Sequence, residues 1–201
     1  MQPIHNQSAI DGCQAALDRC LALTQLYTVE QYVAQCPDDG RPDGGRSDGS
    51  IGAHIRHVVE HLTCFFDGLA RGCIDYDARA RDEHVERDPT RARALLERAR
   101  AELDGLRARP LDSSVRVVQV PALDTPSIEV TSSVARELLF LSSHTIHHLA
   151  LIKLLARQQG YAFPASFDVA YSTAQYRAST TSCVAEVVNV AMANGPRRAA
   201  R

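Results

Sequence analysis

The stretch from Val134 to Arg157 runs without a glycine or proline. Its apolar residues, among them Leu138, Leu139, Phe140, Leu141, Ile146, Leu149, Ile152 and Leu155, point in nearly every direction around a helix. A helix that is apolar all round is buried on most sides, so the rest of the chain has to surround this one. The same helix carries His144 and His148, four residues apart and therefore stacked on one side, in line with Leu141 and Leu155. Two imidazoles in a core need partners, because burying an unpaired polar group costs a few kcal/mol. A divalent metal is one partner that accepts two neutral imidazoles together.

With 201 residues the chain is long enough for a single substantial core, read here as one domain over residues 1–190. A basic end, 191–201, is expected to be disordered. Hydrophobic residues at 45% and charged residues at 23% fit an ordinary soluble globular protein. The net charge of −2 gives no electrostatic case for nucleic acid, which calls for a clustered basic face. From Arg79 to Arg109 the arginines alternate with Asp and Glu, as on a solvated face. No run approaches the roughly 20 apolar residues of a membrane span. The first residues lack both the charged and the apolar regions of a signal peptide, so a cytoplasmic protein without nucleic-acid or membrane partners is expected. The cysteines (Cys13, Cys20, Cys36, Cys64, Cys73, Cys183) form no C-x-x-C pair and read mostly as small buried residues. Cys64 stands apart, because it lies seven residues beyond His57 on the same helical face.

In chain order, Ser8 with Asp11 resembles a capping box and opens a first helix to about Tyr27. Thr28 to Gln35 restarts as a short helix before Cys36-Pro37, and Asp38 to Gly49 is a Gly- and Asp-rich loop. Ser50 caps a second helix, Ile51 to about Leu69, with Ile51, Ile55, Val58, Val59, Leu62, Phe65, Phe66 and Leu69 on its apolar face. Beside that face runs a second stripe, His54, His57 and His61. A charged connector from Cys73 to Asp82 leads to Asp88-Pro89, the cap and first position of a third helix that Pro110 ends. Val115–Val120 and Ser127–Val130 form a short β-hairpin or extended excursion, after which Ser132 or Ser133 caps the central helix. Beyond Tyr161 the periodicity weakens, with Val184 to Met192 a candidate for one more short helix. The expected fold is all-α, a four-helix bundle with that excursion between helices 3 and 4. Such bundles place metal sites between facing helices.

Zinc-like sites take three or four ligands from separate elements, and two helices here carry histidine stripes. With three imidazoles at least one position stays open, the pattern of a catalytic site. At about 100° per residue, His54 and His61 point nearer the centre of the apolar face than His57 does, so spacing alone favours one of those two as third ligand. Nothing between Leu141 and Leu155 on the His144/His148 stripe is Asp, Glu or Cys, and Glu137 lies about two turns, roughly 10 Å, below His144. Cys64 could still reach in from the second helix.

The segment Ser50-Ile51-Gly52-Ala53-His54-Ile55-Arg56-His57, taken with His144-Thr145-Ile146-His147-His148, resembles the DinB-like (DinB/YfiT) superfamily over about Ser8 to Tyr176. The resemblance implies a four-helix bundle holding a divalent metal with three histidines; imidazole itself suits Zn, Ni, Fe and Cu alike, and Zn, Ni or Fe is expected. One ligand comes from the second helix, seven residues after a Ser/Thr cap, and two come from a His-x-x-x-His in the last bundle helix. Carried onto this chain the ligands are His57, His144 and His148. Ile74–Asp77 and Phe167–Thr173 are similar to an uncharacterised subgroup. Some members are thiol-dependent transferases or isomerases, which implies a small-molecule substrate or low-molecular-weight thiol as partner. A metal with open positions could lower the pKa of a thiol, or equally activate water for hydrolysis. His61 and His147 are the candidates for a general base or for orienting the ligands. Two other classes compete: a non-catalytic metal-binding or sensing bundle whose activity is dimerisation, as a homodimer, and a plain bundle whose core histidines are hydrogen-bonded.

Overall fold

The computed structural model of this chain describes residues 3–34 and 49–179. The Gly-rich loop up to Asp48, Cys36, Cys183, the candidate helix Val184–Met192 and the basic end 191–201 lie outside the described residues. The elements are α1 (Pro3–Leu26), α2 (Val29–Val33), α3 (Ile51–Arg71), β1 (Cys73–Asp75), α4 (Glu83–Arg87) and α5 (Pro89–Gly105). A 3-10 turn (Leu106–Ala108) then leads to β2 (Ser114–Gln119), β3 (Ile128–Ser133) and α6 (Val134–Gln158). These belong to a compact unit, Met1–Asp168; a second unit begins at Val169, and within it residues 171–179 are helical.

The chain is mostly helical, and the helix starts follow the cap chemistry. Ser50 Oγ accepts from the Ala53 amide at 2.9 Å and opens α3, and Gly72 in the left-handed region (φ 73°) closes it. Asp88 accepts from the Thr90 amide ahead of α5 with Pro89 in the first turn, and Ser133 caps α6. Thr28 and Gln31 form a reciprocal capping box at α2. The first helix departs from expectation. It begins at Pro3, not Ser8, because proline is compatible with a first turn and nothing between Pro3 and Ser8 breaks the helix.

A second correction concerns the charged connector. Cys73–Asp75 is a strand, parallel to β2 with Ile74 opposite Val117, and β2 pairs antiparallel with β3. The hairpin excursion is therefore two strands of a three-stranded sheet. Three residues carry no readable period, so this pairing comes from the tertiary structure.

α1 packs on α5 and α6, and α3 packs on the same two helices. Leu138, Leu141, Leu149 and Ile152 of α6 are buried against Ile10, Leu17, Ile55, Leu62 and their neighbours. The other side of α6 is not covered as the all-round apolar pattern predicts: Leu139 is 61% and Leu154 56% exposed. By length and composition α6 could cross a membrane, yet half of its most apolar window is buried inside the protein, as in a core helix. At its start, buried Glu137 accepts from Tyr76 Oη (2.9 Å), Ser132 Oγ (2.6 Å) and Arg136 (3.0 Å), which joins the end of β1, β3 and α6. Segment 161–168 closes over α1 and α6: Tyr161 meets Tyr27 edge-on, and Lys153 pairs with Asp168 at 2.5 Å.

The sheet sits tight against α3. A Cβ on Gly68 would lie 2.6 Å from the Ile74 Cα, so Gly68→Ala has to push β1 off the helix. We expect a loss of about 1–3 kcal/mol in urea unfolding. Gly105→Ala, where nothing lies within 4 Å, should be neutral or slightly stabilising.

Candidate metal centre

The 3/4 spacing of His54, His57 and His61 sets them along one flank of α3, and α3 lies against α6. Five imidazoles consequently meet between the two helices. His57 and His144 stand 5.1 Å apart, centroid to centroid, and form the shared edge of two triangles. His61 completes one, at 4.3 Å from each. His148 completes the other, at 4.6 Å from each. Ligating nitrogens of His57, His61 and His144 all fall within 4.8 Å of one another. Two nitrogens on one zinc at 2.0–2.1 Å would be about 3.3 Å apart, within that 4.8 Å limit.

Hydrogen bonding presets the rings. His61 Nδ1 lies 2.8 Å from the His57 carbonyl oxygen. A carbonyl only accepts, so Nδ1 carries the proton and Nε2 is left with its lone pair. His144 Nε2 is buried without a hydrogen-bond partner, an orphaned polar atom that a metal would satisfy. His148 Nδ1 meets His54 Nδ1 at 3.1 Å, one donating to the other. His147 is exposed, and its ring stands edge-on to His148 at 5.4 Å. It borders the cluster without entering it.

Electrostatics keep the cluster neutral. Burial, followed by the neighbouring imidazoles, pushes His57 from 6.5 to about 3 and His148 to about 2. His144 falls to about 4 for the same reasons. His61 is lowered by burial, against the opposing hydrogen bond to the His57 carbonyl. Neutral imidazoles are the form that binds metal. The donor set therefore fits a divalent ion that accepts nitrogen ligands, Zn, Ni or Fe among them.

The cluster opens on one side to a cleft of about 520 Å³ bordered by His54, His57 and His148. Arg56, Glu60, Arg79, Arg81 and Glu83 form its polar wall. Buried Glu60 accepts from the Asp82 amide at 2.7 Å and faces Arg56 at 3.7 Å and Arg79 at 4.0 Å. The sequence reads Arg79 and Arg81 as part of a solvated face, whereas the structure sets them at this cleft, and Glu60 was missed. Its four-residue spacing from Arg56 was the available signal. Tyr76 was missed as well. Its ring stacks on His61 at 5.5 Å while its hydroxyl is held by Glu137. Cys64 is a free, half-buried thiol whose pKa is raised chiefly by burial, and it does not join the histidine group. Cys13 and Cys20 are buried and pushed to about 12, inert core residues.

Comparison with known proteins adds little. An FK506-binding protein 5 from Rhizopus delemar is similar to part of the chain, 31% identical over 104 residues, 51% of this chain. The chain spans only 27% of the length of that relative. No family profile matches the sequence, and no solved structure does.

The lowered histidine pKa values make stability depend on pH. Below 6.5 the unfolded chain takes up protons that the folded cluster refuses, so stability falls as pH falls. For the metal-free protein we expect the unfolding free energy from urea titration to drop between pH 7 and pH 5, by about 2 kcal/mol for each imidazole that stays neutral. A flat profile would show that the rings protonate in the folded state.

Proposed function

We propose that this chain is a divalent-metal-dependent enzyme with a four-helix core of the DinB-like kind, acting on a small molecule. The metal would be held by His57, His144 and His148. One observation carries the reading: neutral, mutually packed imidazoles border a cleft of about 520 Å³, within the range of small-molecule sites. A purely structural metal would favour a closed site. Among the described residues no carboxylate or thiol belongs to the histidine group. The outer triangle is preferred because His57 and His148 border the cleft while His61 and His144 do not. It is also the set that the family resemblance assigns.

Bound there, a divalent metal supplies a Lewis acid that lowers the pKa of a coordinated thiol or water. The chain's own groups do the rest. His54, at the cleft and in contact with His148 Nδ1, would accept the Nδ1 proton of His148 and hold that ring in place while its Nε2 faces the metal. His61, buried and fixed by its bond to the His57 carbonyl and by the Tyr76 ring, would hold His57 in place from the side away from the cleft lining. Thiol transfer is favoured over hydrolysis only by the resemblance.

Elemental analysis of the purified protein tests the site. Near-stoichiometric Zn, Ni or Fe is expected in the parent and in His61→Ala, and loss of metal in His57→Ala, His144→Ala and His148→Ala. Metal retained in His148→Ala but lost in His61→Ala would move the site to the inner triangle. Absence from the parent, even after reconstitution, would sink the enzyme reading. Low-molecular-weight thiols offered with electrophiles to the loaded protein then separate S-transfer from hydrolysis.

A further inference from the structure

Besides the histidines, the cleft is lined by three guanidinium groups, Arg56, Arg79 and Arg81, and two carboxylates, Glu60 and Glu83. The carboxylates are largely committed. Glu60 is shared between Arg56 and Arg79, and Glu83 pairs with Arg87 at 2.8 Å. Arg56 is further matched by Glu86 at 3.1 Å. Positive charge is left over at Arg79 and Arg81. The Arg79 Nη1 donates to the Tyr76 carbonyl at 2.6 Å, but its buried Nε has no hydrogen-bond partner and lies 4.0 Å from Glu60, too far to donate. Among the described residues Arg81 makes no ion pair; its Nη1 donates only to the Arg79 carbonyl at 3.3 Å. Its backbone adopts φ 52°, a left-handed conformation rare for a residue with a side chain. Such strain, kept beside a cleft, is typical of positions that serve a ligand.

We propose that the cleft recognises a small organic anion, whose carboxylate is held by Arg79 and Arg81 while its reactive end faces His57 and His148. The proposal rests on the reading of the cleft as a substrate site. A guanidinium donates a planar fork that matches a carboxylate. Arg79 is pre-oriented by the Tyr76 carbonyl, and Arg81 by the Arg79 carbonyl. The two cations are thus arranged before any ligand arrives, which lowers the entropic cost of binding.

Isothermal titration of the full chain with glutarate, metal-free, tests the anion site alone. Glutarate should bind, and Arg81→Gln should weaken it about tenfold, as expected for loss of a charged hydrogen-bond donor. No binding, or equal binding by parent and variant, overturns the proposal. A second titration on zinc-loaded protein compares 3-mercaptopropionate with 3-mercaptopropan-1-ol, which lacks the carboxylate. The acid should bind about tenfold more tightly to the parent. In Arg81→Gln the preference should vanish with the alcohol's affinity unchanged, which also shows that the variant is folded. Equal affinity for acid and alcohol in the parent overturns the proposal. If neither thiol binds the zinc-loaded protein, the metal-thiol reading fails, and Arg81-dependent glutarate binding still upholds the anion site.

Discussion

Two stripes of imidazoles pressed together between α3 and α6 are the constraint on which the rest depends. Charged, these rings would repel one another in a poorly solvated space. Neutral, they pack as aromatic surfaces, with His57, His61, His144 and His148 all within about 5 Å of a neighbour. Burial holds them neutral, and neutrality permits the burial, so helix packing and protonation state are coupled. The cost of this arrangement is polar atoms such as His144 Nε2 that find no partner in the protein. A core that stores such unsatisfied donors and acceptors is poised for a ligand.

Around that seam, the chain fixes the two helices from both ends. Gly68 lets β1 lie against the end of α3, and Tyr76, just past β1, reaches across to Glu137 at the start of α6. The Tyr76 ring also covers His61. One residue thus joins the sheet, the buried carboxylate and the histidine cluster. At the opposite end of α3, Gly52 allows α4 to approach so closely that an added Cβ would meet the Glu86 carbonyl at 2.0 Å. That approach brings Glu86 to Arg56 and helps to shape the cleft wall.

The polar residues and the histidines line the same cleft, and their chemistry differs. Imidazoles offer lone pairs, suited to metal or proton. Guanidinium groups offer donors only, suited to anions. On the proposed reading, a site combining the two would hold a molecule at both ends, one end reacting and the other positioned. At the wall Glu60 and Glu86 offset the charge of Arg56, whereas Arg81 makes no ion pair among the described residues.

Much of this was legible in the sequence, because it follows from local rules. The caps at Ser50, Asp88 and Ser133, the apolar face of α3 and the two histidine stripes are set by spacing and side-chain chemistry along one helix. What the sequence could not decide was which histidines meet. His54, His57 and His61 differ by small rotations about α3, and the choice depends on how α3 and α6 are turned toward each other. Spacing favoured His54 or His61, the resemblance favoured His57, and the packed helices bring His57 to the centre with His61 and His148 on either side. The strand at Cys73–Asp75, the burial of Glu60 and the exposure of Leu139 likewise come from contacts between distant segments. A sequence determines which faces an element has; only the assembled chain determines what each face meets, because burial and partner geometry belong to the pair and not to the residue.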